Sequence, residues 1–416
     1  MAGSYADILM FTVVGDALGT PFTGLRREHI AAVFKKITDY TDVFPALKSR
    51  EFLWKKPGLY SSVSQFALLF SLFADVNFSA AKYVRLVAFS PDVPDSQLGV
   101  FRWPEDALAR FISACIQGKD YAPYSMPCAS VPLVCLHIGL FARSKEEAAS
   151  SACRLASAIT KDALTIACAC IYAQIVYDGS HAGGVDPFIL ADIAADCSAR
   201  VIKFADANSA ELFDMGVSPA SFKHGAEVCG KAFAAQTEQE IVAAVNSTVK
   251  TPVTRATAPL PLAVLPFAAL LLRQAGGSPD VLFTAAAQGG SAGVLTAAVG
   301  SFVGLFTRAD DIPTQLAQGL VNKKKIAQTI ALTGRRQTGG LEEFFASEQG
   351  LTVKAEEEFK AKVKNVKQKG KQVANKQSKG SKEERLAAHI VESWTKLDKA
   401  RYKKEKQRAE RDGQGE

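Results

Sequence analysis

The stretch Gly15-Asp16-Ala17-Leu18-Gly19-Thr20-Pro21-Phe22-Thr23-Gly24 stands where a long apolar segment comes to an end. From Ser4 to Leu18 the apolar residues keep helical spacing, and Gly19, Pro21 and Gly24 then interrupt it. Asp16 falls in the last turn of that segment, where a helix-end cap or a structural hydrogen bond is the simplest use for an acid. The same texture recurs along the chain. Further helices are expected over 64–73, 79–88, 104–117, 131–141, 145–157, 162–176, 187–204, 237–246, 260–273, 278–287 and 293–307. Turns are expected at Ser90-Pro91-Asp92 and Tyr177-Asp178-Gly179-Ser180. Few segments alternate apolar with polar residues, so the class is all-α.

A chain of 416 residues with 48% hydrophobic content can bury a large core. The net charge of +7 is unevenly placed: residues 351–416 hold 19 Lys and Arg against 11 Asp and Glu, so the body before them is close to neutral. The eight cysteines show neither zinc spacing nor a CxxC pair, and Cys168 and Cys170 point to different faces of an apolar helical run. Buried free thiols are expected. The opening Met1-Ala2-Gly3-Ser4-Tyr5-Ala6-Asp7 lacks a basic n-region, which points to an intracellular and most simply cytoplasmic protein. The uncharged run from Ala285 to Phe306 is long enough to span a bilayer, but its Gly, Ser and Thr content fits a buried core helix better, and no membrane span is expected.

The Gly15–Gly24 stretch, with its GDALGxP pattern, resembles the ADP-ribosylglycohydrolase (crystallin J1-related) family. Three further segments, in the expected order, support the resemblance. Gly58-Leu59-Tyr60-Ser61-Ser62-Val63-Ser64-Gln65 is similar to the family's G-x-x-T-D-D-T-Q: Gly58, Tyr60 and Gln65 fit, while Ser61, Ser62, Val63 and Ser64 stand at the threonine, the paired aspartates and the second threonine. Gly289-Gly290-Ser291-Ala292-Gly293-Val294 resembles G-G-D-x-D-T, with Ser291 and Gly293 at the aspartates and Val294 at the threonine; Ile312-Pro313 follows as the family's Ile-Pro does. More weakly, Thr160-Lys161 stands where a Thr-His is common.

The resemblance implies a compact multi-helix orthogonal bundle, here carrying a basic C-terminal extension. It also implies a pair of Mg²⁺ ions that help cleave the bond between ADP-ribose and an attached group. Mg²⁺ takes hard oxygen ligands, usually carboxylates that neutralise it. In this chain the acids are missing: Ser62, Val63, Ser291 and Gly293 carry no anion, and Thr23 stands where a glutamate is expected. No bound metal or other cofactor is therefore expected. The candidate ligand-binding residues that remain are Asp16, Ser62, Ser64, Gly289, Gly290 and Ser291, the glycines because backbone N–H groups before a helix can receive a phosphate.

Three domains are expected: a body over 1–349, a disordered lysine-rich linker over 350–382, and a charged amphipathic helix over 383–416. Nine lysines and no acid lie between Lys360 and Lys382, while Leu386, Ile390, Trp394 and Leu397 form one apolar stripe. The expected function is a catalytically inactive family member serving as a binding or structural subunit, with a protein partner and retained affinity for ADP-ribose or a nucleotide. Two alternatives stay open: a hydrolase with a rearranged site built on Asp16, and association with RNA or another acidic partner through residues 360–382.

Overall fold

Ser4 opens the first helix by closing a capping box: its Oγ accepts from Asp7 N at 3.3 Å, and Asp7 Oδ2 accepts from Ser4 N at 2.7 Å. The helix runs Tyr5–Gly19 through the centre of the molecule, and every residue from Phe11 to Gly19 is buried. The computed structural model describes residues 4–47, 50–74, 79–94, 96–181, 186–333 and 340–377. Among these the architecture is all-α, and the extended pairings are isolated bridges, Arg26 with Gly289 and Val93 with Ser96. The chain forms two units, Met1–Ala355 and Glu356–Glu416.

Glycine decides how the centre packs. The Tyr5–Gly19 helix lies antiparallel against the wholly buried Ala292–Val303 helix. A Cβ on Gly15 would come within 2.1 Å of Thr296 O, and one on Gly300 within 2.1 Å of Phe11 O. The glycines of the Gly15–Gly19 pair and of Gly300-x-x-x-Gly304 thus let two backbones touch. This settles the uncharged Ala285–Phe306 run as core. Gly300→Ala must push the helices apart and is expected to cost about 2–3 kcal/mol, read as a lower urea midpoint. Gly350, whose added Cβ would meet nothing within 4 Å, is the control; its alanine variant is expected to hold or slightly gain stability.

Most expected helices form, with instructive departures. The turn expected at Tyr177–Ser180 is the last part of the Ala163–His181 helix. Gly179 is there because a Cβ would sit 2.7 Å from Leu305 Cδ2, so close packing rather than turning explains it. That helix is long and apolar enough to cross a membrane by length and composition, yet most of it is buried within the body. The segment 131–141 is two short helices, Val131–Val134 and Leu136–Phe141, that meet at Cys135. A 16-residue helix, Pro219–Ala234, was not expected. Its start signal, Ser218 as cap with Pro219 behind it, was legible. Its internal Gly225 and Gly230 hid it; they admit Leu164 and Ser198 at close range.

Of the expected linker, residues 350–377 are helical and 378–382 lie outside the described residues. The backbone is one helix from Gly340 to Gln377. Phe344, Phe345, Glu348, Thr352 and Ala355 bury its first part, and a helix once nucleated extends cheaply through Glu, Lys, Ala and Gln with no proline. Residues 383–416, with the Leu386–Leu397 stripe, lie outside the described residues.

All eight cysteines are buried and free. His137 is a core residue, packed 5.3 Å from the Phe70 ring and 4.8 Å from Tyr83, with Nδ1 3.1 Å from Val134 O. Burial, and to a lesser degree the charge of Lys82, hold its pKa down to about 3. The unfolded chain takes up this proton near pH 6.5 and the folded chain does not, so stability is lost as pH falls below 6.5. The loss is about 1.4 kcal/mol per pH unit, or roughly 2 kcal/mol by pH 5. Denaturant melts of His137→Phe are expected to remove this slope.

Candidate functional site

The site expected from the sequence gathers where three segments meet: the end of the Tyr5–Gly19 helix, the start of the Ser62–Leu72 helix and the start of the Ala292–Val303 helix. Asp16, Ser61, Ser62, Val63, Ser64, Ser291, Gly293 and Val294 are all buried there, and Thr23 is half-buried. The three motif segments therefore meet in the fold.

Asp16 is fully enclosed and its carboxylate is saturated. Oδ1 accepts from Thr20 Oγ1 at 2.7 Å and from Ser61 Oγ at 2.8 Å. Oδ2 accepts from Ser61 N at 2.9 Å, from Ser64 N at 3.1 Å and from Ser64 Oγ at 2.7 Å. Placed at the N-terminus of the Ser62–Leu72 helix, this anion takes up backbone donors and meets the positive end of the dipole. Burial raises its pKa, and the bonds from Ser64, Thr20 and Ser61 pull it back. Ser64, a ligand-binding candidate, and Ser61, which stands at the motif's threonine, are spent holding Asp16. Ser61 also accepts from Val63 N at 3.2 Å as the helix cap.

At Gly293 the space for an acid is filled. Gly293 N donates to Thr23 Oγ1 at 3.0 Å, which ties two of the motif segments directly together. A Cβ on Gly293 would lie 2.9 Å from Thr20 Oγ1 and 3.1 Å from Thr23 Oγ1, so the volume an aspartate needs is held by two threonine hydroxyls. Val63 and Val294 bring only methyl groups. Ser62 Oγ is buried without a hydrogen-bond partner among the described residues, and Ser62 N donates to Arg102 O at 2.8 Å.

The amides of Gly290 and Ser291 are not presented to a phosphate. Gly290 N donates to Leu25 O at 2.9 Å, Ser291 N to Thr257 O at 2.9 Å, and Gly24 N donates to Gly290 O at 2.8 Å. Both glycines have positive φ, and a Cβ on Gly289 would lie 2.3 Å from Leu25 O. They form a tight turn stitched to residues 24–26. In the weaker matching segment, Lys161 Nζ turns back to Ser157 O at 3.1 Å, while Asp162 Oδ2 accepts from Thr165 N at 2.9 Å and caps the Ala163–His181 helix.

A scan against family models matches residues 5–342 to ADP-ribosylglycohydrolase. The chain belongs to the ADP-ribosylglycohydrolase family. Comparison with curated proteins gives no match. The pair of Mg²⁺ ions that the family implies can be tested against the donor set of this member. Neutral hydroxyls of Ser61, Ser62, Ser291 and Thr23 cannot balance two divalent charges in a low-dielectric interior, and the carboxylate present, Asp16, has no lone pair to spare. Among the described residues no group of three His, Cys, Asp or Glu converges on a point. The residues do not fit the metals.

Two features of this family member went unseen in the sequence. Lys55, half-buried just before the Gly58–Gln65 motif, has its amine pushed down to about 8 by burial, with the charge of Asp16 pulling it back up. The second is Glu348, which lies beyond the family-matched region and reaches the motif residues that do fit. It accepts from Tyr60 Oη at 2.5 Å and Gln65 Nε2 at 2.7 Å, and pairs with Arg102 Nη2 at 2.7 Å. Arg102 also donates through Nε to Tyr60 O at 3.1 Å and through Nη1 to Thr352 Oγ1 at 3.1 Å. No local pattern links residues 283 positions apart, as Gln65 and Glu348 are.

Proposed function

We propose that this chain is a catalytically inactive member of the ADP-ribosylglycohydrolase family that serves as a structural or binding subunit. The observation that carries this is the Gly293 position: the space that an aspartate side chain would need is held by the Thr20 and Thr23 hydroxyls. Loss of the acids alone would leave an open cleft of changed polarity. Here Ser62, Val63, Ser291, Gly293 and Val294 are buried, and the Gly293 amide is bonded to Thr23, which supports a role for the segment in holding the body together. The committed amides of Gly290 and Ser291 argue in the same direction for ADP-ribose, since a phosphate would have to displace Leu25 O and Thr257 O to reach them.

Incubation of the full chain with an ADP-ribosylated protein and excess Mg²⁺ is expected to release no ADP-ribose. Calorimetric titration with ADP-ribose is expected to give no binding heat. Release that a chelator abolishes overturns the inactive assignment. Binding heat without release would leave inactivity standing and return the cleft to ligand sensing.

A further inference from the structure

Cys168 and Cys170 leave the Ala163–His181 helix on different faces and meet different partners. Cys170 Sγ donates to Ala149 O at 3.3 Å, much as Cys128 Sγ donates to Glu105 Oε2 at 3.2 Å. Cys168 meets sulfur instead. Its Sγ lies 3.7 Å from Cys229 Sγ, on the Pro219–Ala234 helix, and both residues are wholly buried. The backbone explains the contact. Leu164 and Gly225 stand one turn before Cys168 and Cys229, and a Cβ on Gly225 would lie 3.1 Å from Leu164 Cα and 3.5 Å from Ala167 Cβ. A glycine thus brings the two helices together one turn ahead of the cysteines, and two short side chains can touch across the gap.

A disulfide holds its sulfurs about 2.05 Å apart, so this pair has about 1.7 Å left to close, shared between two χ1 rotations. We infer that Cys168 and Cys229 form a redox-sensitive lock, closed by a peroxide to a disulfide that ties the two helices together. One thiol loses its proton and attacks a peroxide oxygen; the O–O bond breaks, leaving a sulfenic acid and one water. The second sulfur attacks the sulfenic sulfur, the S–O bond breaks, and the hydroxyl leaves as a second water with the proton of the second thiol. Two thiols are oxidised to one disulfide, and one hydrogen peroxide is reduced to two waters.

Burial sets when the lock can close. It holds the Cys168 thiol well above the ordinary thiol range, and Cys229 adds to the effect, so the closed core offers almost no thiolate. Peroxide reaches the pair when the helices part in local opening, and reclosure returns the two sulfurs to contact. The rival pair is Cys153 with Cys170, but Cys170 has Ala149 O as a second acceptor. A Cys168–Cys229 bridge closes a loop across 61 positions, which takes freedom chiefly from the unfolded chain. Neither cysteine belongs to the motif segments around Asp16, Ser62 and Gly293, so the lock and the inactive assignment stand or fall separately.

The test treats the full, reduced chain with hydrogen peroxide, blocks remaining thiols with a maleimide in denaturant, and maps the peptides by mass spectrometry without reduction. The Cys168–Cys229 bridge is expected as the main cysteine product. It should form faster in urea kept below the unfolding transition, as a route through local opening requires. The oxidised chain should show its urea midpoint raised by about 1 M, and dithiothreitol should return it to the starting value. Cys168→Ala and Cys229→Ala chains should gain no such rise, and the remaining cysteine should be trapped by dimedone as a sulfenic acid. The peptide map of the unsubstituted chain decides the matter even where an alanine variant fails to fold. A Cys153–Cys170 bridge in its place, sulfinic acid at either residue without a bridge, a midpoint lowered by bridging, or no reaction of the pair in peroxide would overturn the assignment.

Discussion

Asp16→Ala is expected to cost the fold roughly 4 kcal/mol, because the lost carboxylate leaves several buried donors without an acceptor at about 1–3 kcal/mol each before relaxation. The donors are the Ser61 and Ser64 amides and the hydroxyls of Thr20, Ser61 and Ser64. Thr20 lies one turn on from Asp16, while the two serines belong to the start of the next buried helix. The aspartate therefore fixes where the Ser62–Leu72 helix begins relative to the central one. Asp16→Asn keeps one acceptor oxygen and turns an amide toward donors, so it is expected to fall between wild type and alanine. Denaturant melts of both variants check the order. If the alanine variant loses less than about 1 kcal/mol, water or neighbouring groups have satisfied those donors and Asp16 is not the anchor described here. The same substitution bears on function: a hydrolase built on Asp16 would need a free carboxylate oxygen, and in this structure both are occupied.

Arg102→Met should be comparably damaging, about 3–5 kcal/mol, since it strands Glu348 as an unpaired charge in the interior. Both side chains are 2% exposed, and the pair is the hub of a network through Tyr60, Gln65 and Thr352. Removing both charges together removes the stranded group, so Arg102→Met combined with Glu348→Gln is expected to recover part of the loss. Urea unfolding of the two single variants and the double variant reads the coupling. Additive losses would show that the ion pair is incidental to the packing. The expected coupling gives a use to the motif positions that survive. Tyr60 and Gln65 fit the family pattern, yet here they form the socket that receives a glutamate from outside the matched region. Residues that fit a family motif can thus be used for packing.

Much of this was open to inspection before any coordinates. Apolar spacing placed most helices, since a 3.6-residue period is a local property that needs no partner to be recognised. The GDALG, Gly58–Gln65 and Gly289–Val294 segments named the family, and the missing acids followed from residue identity alone, because a serine, a valine or a glycine has no charge in any fold. The uneven charge of the C-terminal region was equally a matter of counting.

Only the tertiary structure decided what the motif residues touch. That Thr20 and Thr23 fill the place of an aspartate at Gly293, that Gly290 spends its amide on Leu25, and that Glu348 locks Tyr60 and Gln65 all depend on contacts between distant parts of the chain. The same holds for glycines such as Gly179 and Gly225, which look like breaks in sequence and prove to be points of close approach. Sequence fixes which groups a residue can offer. Whether a hydroxyl or an amide faces a ligand or a neighbour is a question of who stands within about 3 Å of it, and only the folded chain answers that.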